Sequence, residues 1–343
     1  MPPSGRSSRA ARRVATSHHG AVRRWSHGVR IVTHAHTPSF HELSPQLDRH
    51  LHEVGLAPAY VERLIRDTIL EDLDGGYDVT THSTVPRDHR SEVVFTSRKP
   101  GCIAGIPVVA AVLEMMCGTL NLRYEPLVRD GDVVLRDTAL LRAEAPTRDL
   151  LTSERTALNL FCHLSGIATA TREWADHLSR TGAVVRDTRK TTPGLRRLEK
   201  YAVRCGGGQN HRMSLSDAAL VKDNHIAAAG GVAAAFRAVR EHAPDIAVEI
   251  EVDTLDQLRE ALDAGADLVL LDNMAPDVLR QAVAMSREHS AATGRKVVLE
   301  ASGGLTLATA GAVGATGVDY VSVGGLTHSS PILDIGLDYV RTL

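Results

Sequence analysis

From Gly182 onward the apolar positions fall into short β-branched runs, separated by longer stretches in which apolar residues recur every three or four places. The runs are Ala183–Val185, Ala218–Val221, Ile246–Val252, Leu268–Leu271, Val297–Leu299 and Tyr320–Val323. Short β-branched runs repeated between helical stretches predict buried strands, as in a parallel sheet. Most of the intervals read as helices. Thr254 with Gln257 is a capping-box pattern opening a helix through Leu262, and Pro276 opens another through about Glu288. Six strand–helix units in succession predict a β/α barrel.

The chain before Gly182 has a different rhythm. Tyr60–Leu73 and Pro107–Cys117 carry helical spacing, and Glu92–Ser97, Leu120–Glu125, Asp132–Leu135 and Ala139–Ala143 read as strands. Mixed without alternation, these predict an α+β layer. Asp149–Leu178 is helical again, and Gly166 predicts a break into two helices. Residues 1–45 are rich in Arg, Ser and His and contain no Lys, which predicts a disordered tail; a transit peptide has the same look. The predicted organisation is a tail over 1–45, a smaller α/β domain over 46–165, and a barrel over 166–343 whose C-terminus can pack back on the first domain.

Composition narrows the partners. The 343 residues are 43% hydrophobic with a net charge of -2, and aromatic residues make up only 3%. A near-neutral chain with few stacking rings argues against a nucleic-acid partner. No apolar run is long enough to span a membrane. The four cysteines, Cys102, Cys117, Cys162 and Cys205, are scattered, which predicts free thiols and a cytoplasmic location. Cys205 lies among cations, but a small buried thiol is the expected state.

Against this neutral background, Asp187–Ile226 concentrates Arg189, Lys190, Arg196, Arg197, Lys200, Arg204, His211, Arg212 and Lys222 around Gly206–Gly208. It holds three of the chain's five lysines. The charge is therefore local, and glycines allow close backbone approach, so the segment reads as a site for a small, strongly anionic substrate. On a barrel, functional groups sit at the C-terminal strand ends. Those ends read Arg189 and Lys190, then Lys222, Glu251, Asp272, Ser302–Gly304 and Gly324–Gly325. Glycine turns at two late strand ends suit a phosphate. Strand alternation puts Glu249, Glu251 and Asp253 on one face, with Glu251 and Asp272 the stronger candidates and Glu249 and Asp253 expected to pair with nearby cations. Neither a metal-cage spacing nor a Ser-His-Asp pattern stands out. A Schiff-base aldolase using Lys190 or Lys222, or a phosphate-binding sensor, would use the same barrel.

The motifs Glu154–Asn159 (ERTALN), Leu164–Thr169, Asp187–Gly194 (DTRKTTPG), Gly206–Arg212, Val221–His225, Glu249–Asp253, Leu271–Met274, Glu300–Gly304 and Val323–His328 together resemble the quinolinate phosphoribosyltransferase family. The resemblance runs from about Leu51 to Leu343. It implies an N-terminal open α/β sandwich followed by an incomplete β/α barrel, the type II phosphoribosyltransferase architecture. It implies that Arg155, Thr188, Arg189, Lys190, His211, Arg212 and Lys222 bind quinolinate. Glu251, Asp272, Ser302, Gly303, Gly304, Val323, Gly324 and Gly325 would bind phosphoribosyl pyrophosphate, with Lys190, Glu251 and Asp272 catalytic. Arg155 would come from the partner subunit of a homo-oligomer. Mg²⁺ would enter with the substrate pyrophosphate, with Glu251 and Asp272 as protein oxygens for it. Ser214 and Gly325 stand where the family often has Gly and Ala, both small changes.

Overall fold

The computed structural model describes residues 38–343. The tail expected over 1–45 lies outside them up to residue 37. Residues 38–45 are packed: His41 N–H donates to Met115 O at 2.8 Å, and Ser44 N–H to Glu114 Oε2 at 2.6 Å. Ser44 Oγ then accepts from Leu47 N–H and caps helix α1 (Pro45–Glu53).

The first layer continues through α2 (Pro58–Leu73), α3 (Val79–Thr84), β1 (Arg90–Ser97), β2 (Gly101–Cys102), α4 (Ile106–Cys117), β3 (Arg123–Pro126), β4 (Val133–Val134) and β5 (Ala139–Pro146). Every residue of α4 is buried, as its near-continuous apolar sequence requires. Asp130 accepts from the free Gly105 and Ile106 amides at its start, 2.8 and 3.0 Å away. A four-stranded antiparallel sheet in the order β12-β1-β5-β3 faces these helices. Its edge strand β12 (Ile335–Thr342) comes from the far end of the chain.

Helix α5 (Thr147–Leu178) runs unbroken for 32 residues and joins the two halves. The break expected at Gly166 does not occur. A Cβ there would meet Pro331 O at 2.2 Å and Ile332 Cα at 2.8 Å, so glycine answers a close backbone crossing, not a turn. Gly166→Ala should therefore cost about 2 kcal/mol by overpacking, although alanine is the better helix former. A denaturant midpoint equal to or above that of the parent protein would refute this.

Six parallel strands follow in the order β6-β11-β10-β9-β8-β7. They are β6 (Val184–Arg186), β7 (Ala219–Val221), β8 (Val248–Val252), β9 (Leu268–Asp272), β10 (Val298–Ser302) and β11 (Tyr320–Ser322). Helices α6 (Arg196–Cys205), α7 (Asp223–Ala229), α8 (Val232–His242), α9 (Leu255–Ala264), α10 (Pro276–Thr293), α11 (Leu307–Gly314) and α12 (Gly325–His328) lie between and after them. The Thr254–Gln257 capping box opens α9 as expected. The barrel is incomplete because β6 and β7 do not pair. A single bridge at Gln209 spans part of that seam, with its N–H on Val185 O at 2.9 Å.

Gly206 and Gly208 have a different use from the one expected. A Cβ on Gly206 would lie 2.4 Å from Ala168 O, and one on Gly208 2.8 Å from Thr171 Cγ2. These glycines let the end of α6 touch α5; the close approach is to protein, not to a ligand.

Candidate active site

The C-terminal strand ends converge on a cavity of about 480 Å³, lined by Thr188, Arg189, Lys190, His211, Arg212, Lys222, Glu251, Asp272, Ser302, Gly303 and Gly304 among others. One side is cationic. The Nε atoms of Arg189 and Arg212 are buried with no hydrogen-bond partner among the described residues. Burial, and then the charge of Arg189, push the Arg212 guanidinium below its ordinary pKa. Two half-buried like charges, each with an unmet buried Nε, cost stability until an anion arrives. Lys222 Nζ is held by Glu251 Oε2 at 2.5 Å, and Lys190 is exposed at the rim. Lys222 is thus an ion-paired ammonium in partial contact with water, not the desolvated amine that Schiff-base chemistry uses.

The other side carries Asp272 and the Ser302–Gly304 turn. Asn273, at φ 54, donates its N–H to Ser302 O at 2.9 Å and its Nδ2 to Asp272 Oδ2 at 2.6 Å. Gly303, at φ 95, has no room for a Cβ, which would sit 2.2 Å from Asn273 Oδ1. The two strand ends are therefore locked together. Val323, Gly324 and Gly325 are not among the lining residues, but Gly324 adjoins two of them: a Cβ on it would lie 2.9 Å from Lys190 Cδ and 3.5 Å from Thr188 Oγ1. Thr327 Oγ1 fixes this edge by donating to Lys190 O at 2.7 Å.

Other cations of the segment have structural work. Lys200 is fully buried and donates to Asp187 and to His211 O. Asp187 also accepts from His211 N–H at 2.8 Å and Asn210 Nδ2 at 2.5 Å, so this pair holds the strand-like segment that carries His211 and Arg212. Arg196 bonds Thr191 Oγ1 and Met213 O, and Arg204 bonds Asn210 Oδ1 and Val54 O. Burial pushes the Cys205 thiol up to about 12, against any activation by its cationic neighbours. Arg155 is exposed on α5, paired with Glu154 at 2.9 Å, and is not among the cavity residues.

Sequence reasoning undervalued the barrel floor. Glu249 and Glu300 are buried beneath His211, with Arg186 Nη1 at 2.5 Å from Glu300 Oε2 and Ser322 Oγ donating to its other oxygen. Glu249 faces inward, and its side-chain partner proves to be the His211 imidazole, not a Lys or Arg. Asp253, exposed just past the end of β8, donates its N–H to Gln257 Oε1 at 2.7 Å and forms no ion pair among the described residues.

An open parallel barrel whose mouth sets paired guanidinium groups against acids and a glycine turn is an enzyme-like site for anionic small molecules. Residues 78–165 match the N-terminal domain model of quinolinate phosphoribosyl transferase, and residues 167–338 match its C-terminal domain model. The chain belongs to the quinolinate phosphoribosyltransferase family. It is 50% identical over 274 residues to a nicotinate-nucleotide pyrophosphorylase [carboxylating] of Mycobacterium leprae, covering 80% of this chain and 95% of that one. A probable enzyme of the same name from Bacillus subtilis is 40% identical over 281 residues, covering 81% and 93%. The structure of the nicotinate-nucleotide pyrophosphorylase of Francisella tularensis superimposes with a TM-score of 0.77 at 35% identity, over 84% of this chain and 99% of that one. Among the described residues no helix is long and apolar enough to cross a membrane.

Proposed function

We infer that this chain transfers phosphoribosyl from 5-phosphoribosyl 1-pyrophosphate to quinolinate, releasing pyrophosphate and CO2 and leaving nicotinate mononucleotide for NAD biosynthesis. The observation that carries the reading is the pair of buried, unmatched guanidinium Nε atoms on Arg189 and Arg212 in the shared cavity. A planar dicarboxylate supplies acceptors for both. Thr188, Lys190 and Lys222 line the same side; of the residues that hold phosphoribosyl pyrophosphate, Glu251 and Asp272 face its sugar and Ser302, Gly303 and Gly304 its phosphate, with Gly324 of the Val323–Gly325 turn against Lys190 and Thr188.

The chemistry follows from charge. The pyridine nitrogen carries its own lone pair and needs no base. The sugar passes through an oxocarbenium-like state, which the carboxylates of Glu251 and Asp272 stabilise from the cavity wall. Once ribosylated, the ring nitrogen is positive and stabilises the carbanion left when the 2-carboxylate departs as CO2. Mg²⁺ suits the donor side: Glu251 and Asp272 are hard oxygen donors, each with one oxygen in a protein contact and the other without one among the described residues. Bound there with the pyrophosphate, the ion would neutralise leaving-group charge.

Purified protein given both substrates and Mg²⁺ should release pyrophosphate and CO2 in equal amounts, and a chelator should abolish both. No pyrophosphate from that mixture would remove the assignment. Arg155, exposed and outside its own cavity, fits a homodimer in which it completes the partner's site. Mixing inactive Arg155→Ala and Arg189→Ala subunits should then restore up to about a quarter of parental activity, the share of intact sites expected from random pairing. Mixed dimers that form but stay inactive would exclude that role. The four cysteines are free, which supports a cytoplasmic location.

A further inference from the structure

Beneath the cavity runs a chain of contacts that the roles above leave unused. Glu249 Oε2, on β8, accepts from His211 Nε2 at 2.7 Å. His211 Nδ1 in turn accepts from the backbone N–H of Arg212, also at 2.7 Å. Acceptance at Nδ1 assigns the ring proton to Nε2, so both ring nitrogens are engaged within the protein. In this state the imidazole has no N–H left for a substrate carboxylate. It fixes instead the backbone of Arg212, whose guanidinium meets the cavity with its Nε unmatched.

We propose that Glu249 is a positioning residue for the dicarboxylate pocket: acting through His211, it sets the backbone of Arg212 and so aims that guanidinium. The proposal rests on the function inferred above. Glu249 leaves its Oε1 buried without a partner, so the bond to His211 is its one side-chain anchor among the described residues. Glu300 braces the ring from a second side, its Oε1 3.7 Å from His211 Nε2, and is itself held by Arg186 and Ser322. His211, Glu249 and Glu300 also offer three ligand atoms within 4.8 Å of one another. A metal fits poorly there, because His211 Nε2 points its hydrogen at Glu249 and Arg186 already neutralises Glu300.

The test is calorimetric binding of quinolinate, and separately of phosphoribosyl pyrophosphate, to the full chain and its variants. Glu249→Ala should weaken quinolinate about tenfold, the worth of one charge-assisted bond, and leave phosphoribosyl pyrophosphate within about twofold. Glu249→Gln, which can still accept from Nε2–H but lacks the charge, should lose less, and it serves if Glu249→Ala does not fold. Two further variants separate the ring nitrogens. His211→Asn keeps an acceptor near the Nδ1 position and should recover much of the affinity that His211→Ala loses; His211→Gln keeps a donor near Nε2 and should not. Equal losses in His211→Asn, His211→Gln and His211→Ala would make His211 a direct ligand and overturn the proposal. So would unchanged quinolinate affinity in both Glu249 variants, or a stoichiometric metal in the purified protein that Glu249→Ala loses. A parent protein that binds no quinolinate would instead overturn the function itself.

Discussion

Replacing Arg212 by alanine is expected to lower kcat/KM for quinolinate by roughly a hundredfold or more, about 3 kcal/mol of lost transition-state binding. Phosphoribosyl pyrophosphate affinity should change little, because its side of the cavity is built on other strands. The apoprotein should not suffer in parallel. Arg212 sits beside Arg189, each with a buried Nε that nothing in the described protein accepts, and both burial and that neighbour disfavour its charge. Removing it relieves the repulsion, at the loss of one bond from Nη1 to Ala218 O. The melting temperature should hold or rise while activity collapses. A variant that loses several degrees of stability and only a few-fold of activity would mean that Arg212 is there for the fold.

Lys200→Met should behave in the opposite way. It leaves Asp187 charged and fully buried without its cation, a change worth about 3–5 kcal/mol of folding stability. The damage should not stop at stability. Asp187 also holds His211 N–H and Asn210, so an Asp187 that protonates or turns away releases the segment bearing Arg212. Quinolinate affinity should fall with it. Denaturant unfolding that shows less than about 1 kcal/mol of loss would remove the pair from the list of supports for the site.

The regular part of the molecule was legible before any coordinates. Buried strands announce themselves by short runs rich in Val, Ile and Leu, and the Thr254–Gln257 box marks a helix start through purely local hydrogen bonds. Strand ends told where Lys222, Glu251, Asp272 and Ser302 would meet, because barrel geometry projects them all to one mouth. What escaped was decided by distant neighbours. Gly166 reads as a helix breaker until Pro331 is found against it, and Gly206 and Gly208 read as ligand-facing until α5 is found there. Lys200 is one more cation in a basic run, and only its burial beside Asp187 separates it from the clamp. Glu300 answers to Arg186, 114 residues away, so no local pattern signals its pairing.

Strand β12 follows every barrel strand in the chain, yet it closes the edge of the first sheet by pairing with β1 from Ser97 to Ser91. During synthesis, that first layer must therefore wait, with β1 open along one side, until the whole barrel has left the ribosome. The two halves cannot mature one after the other, and an interrupted chain would carry a sheet edge free to pair with another copy. Damage to the last strand would thus be felt as aggregation of the first layer.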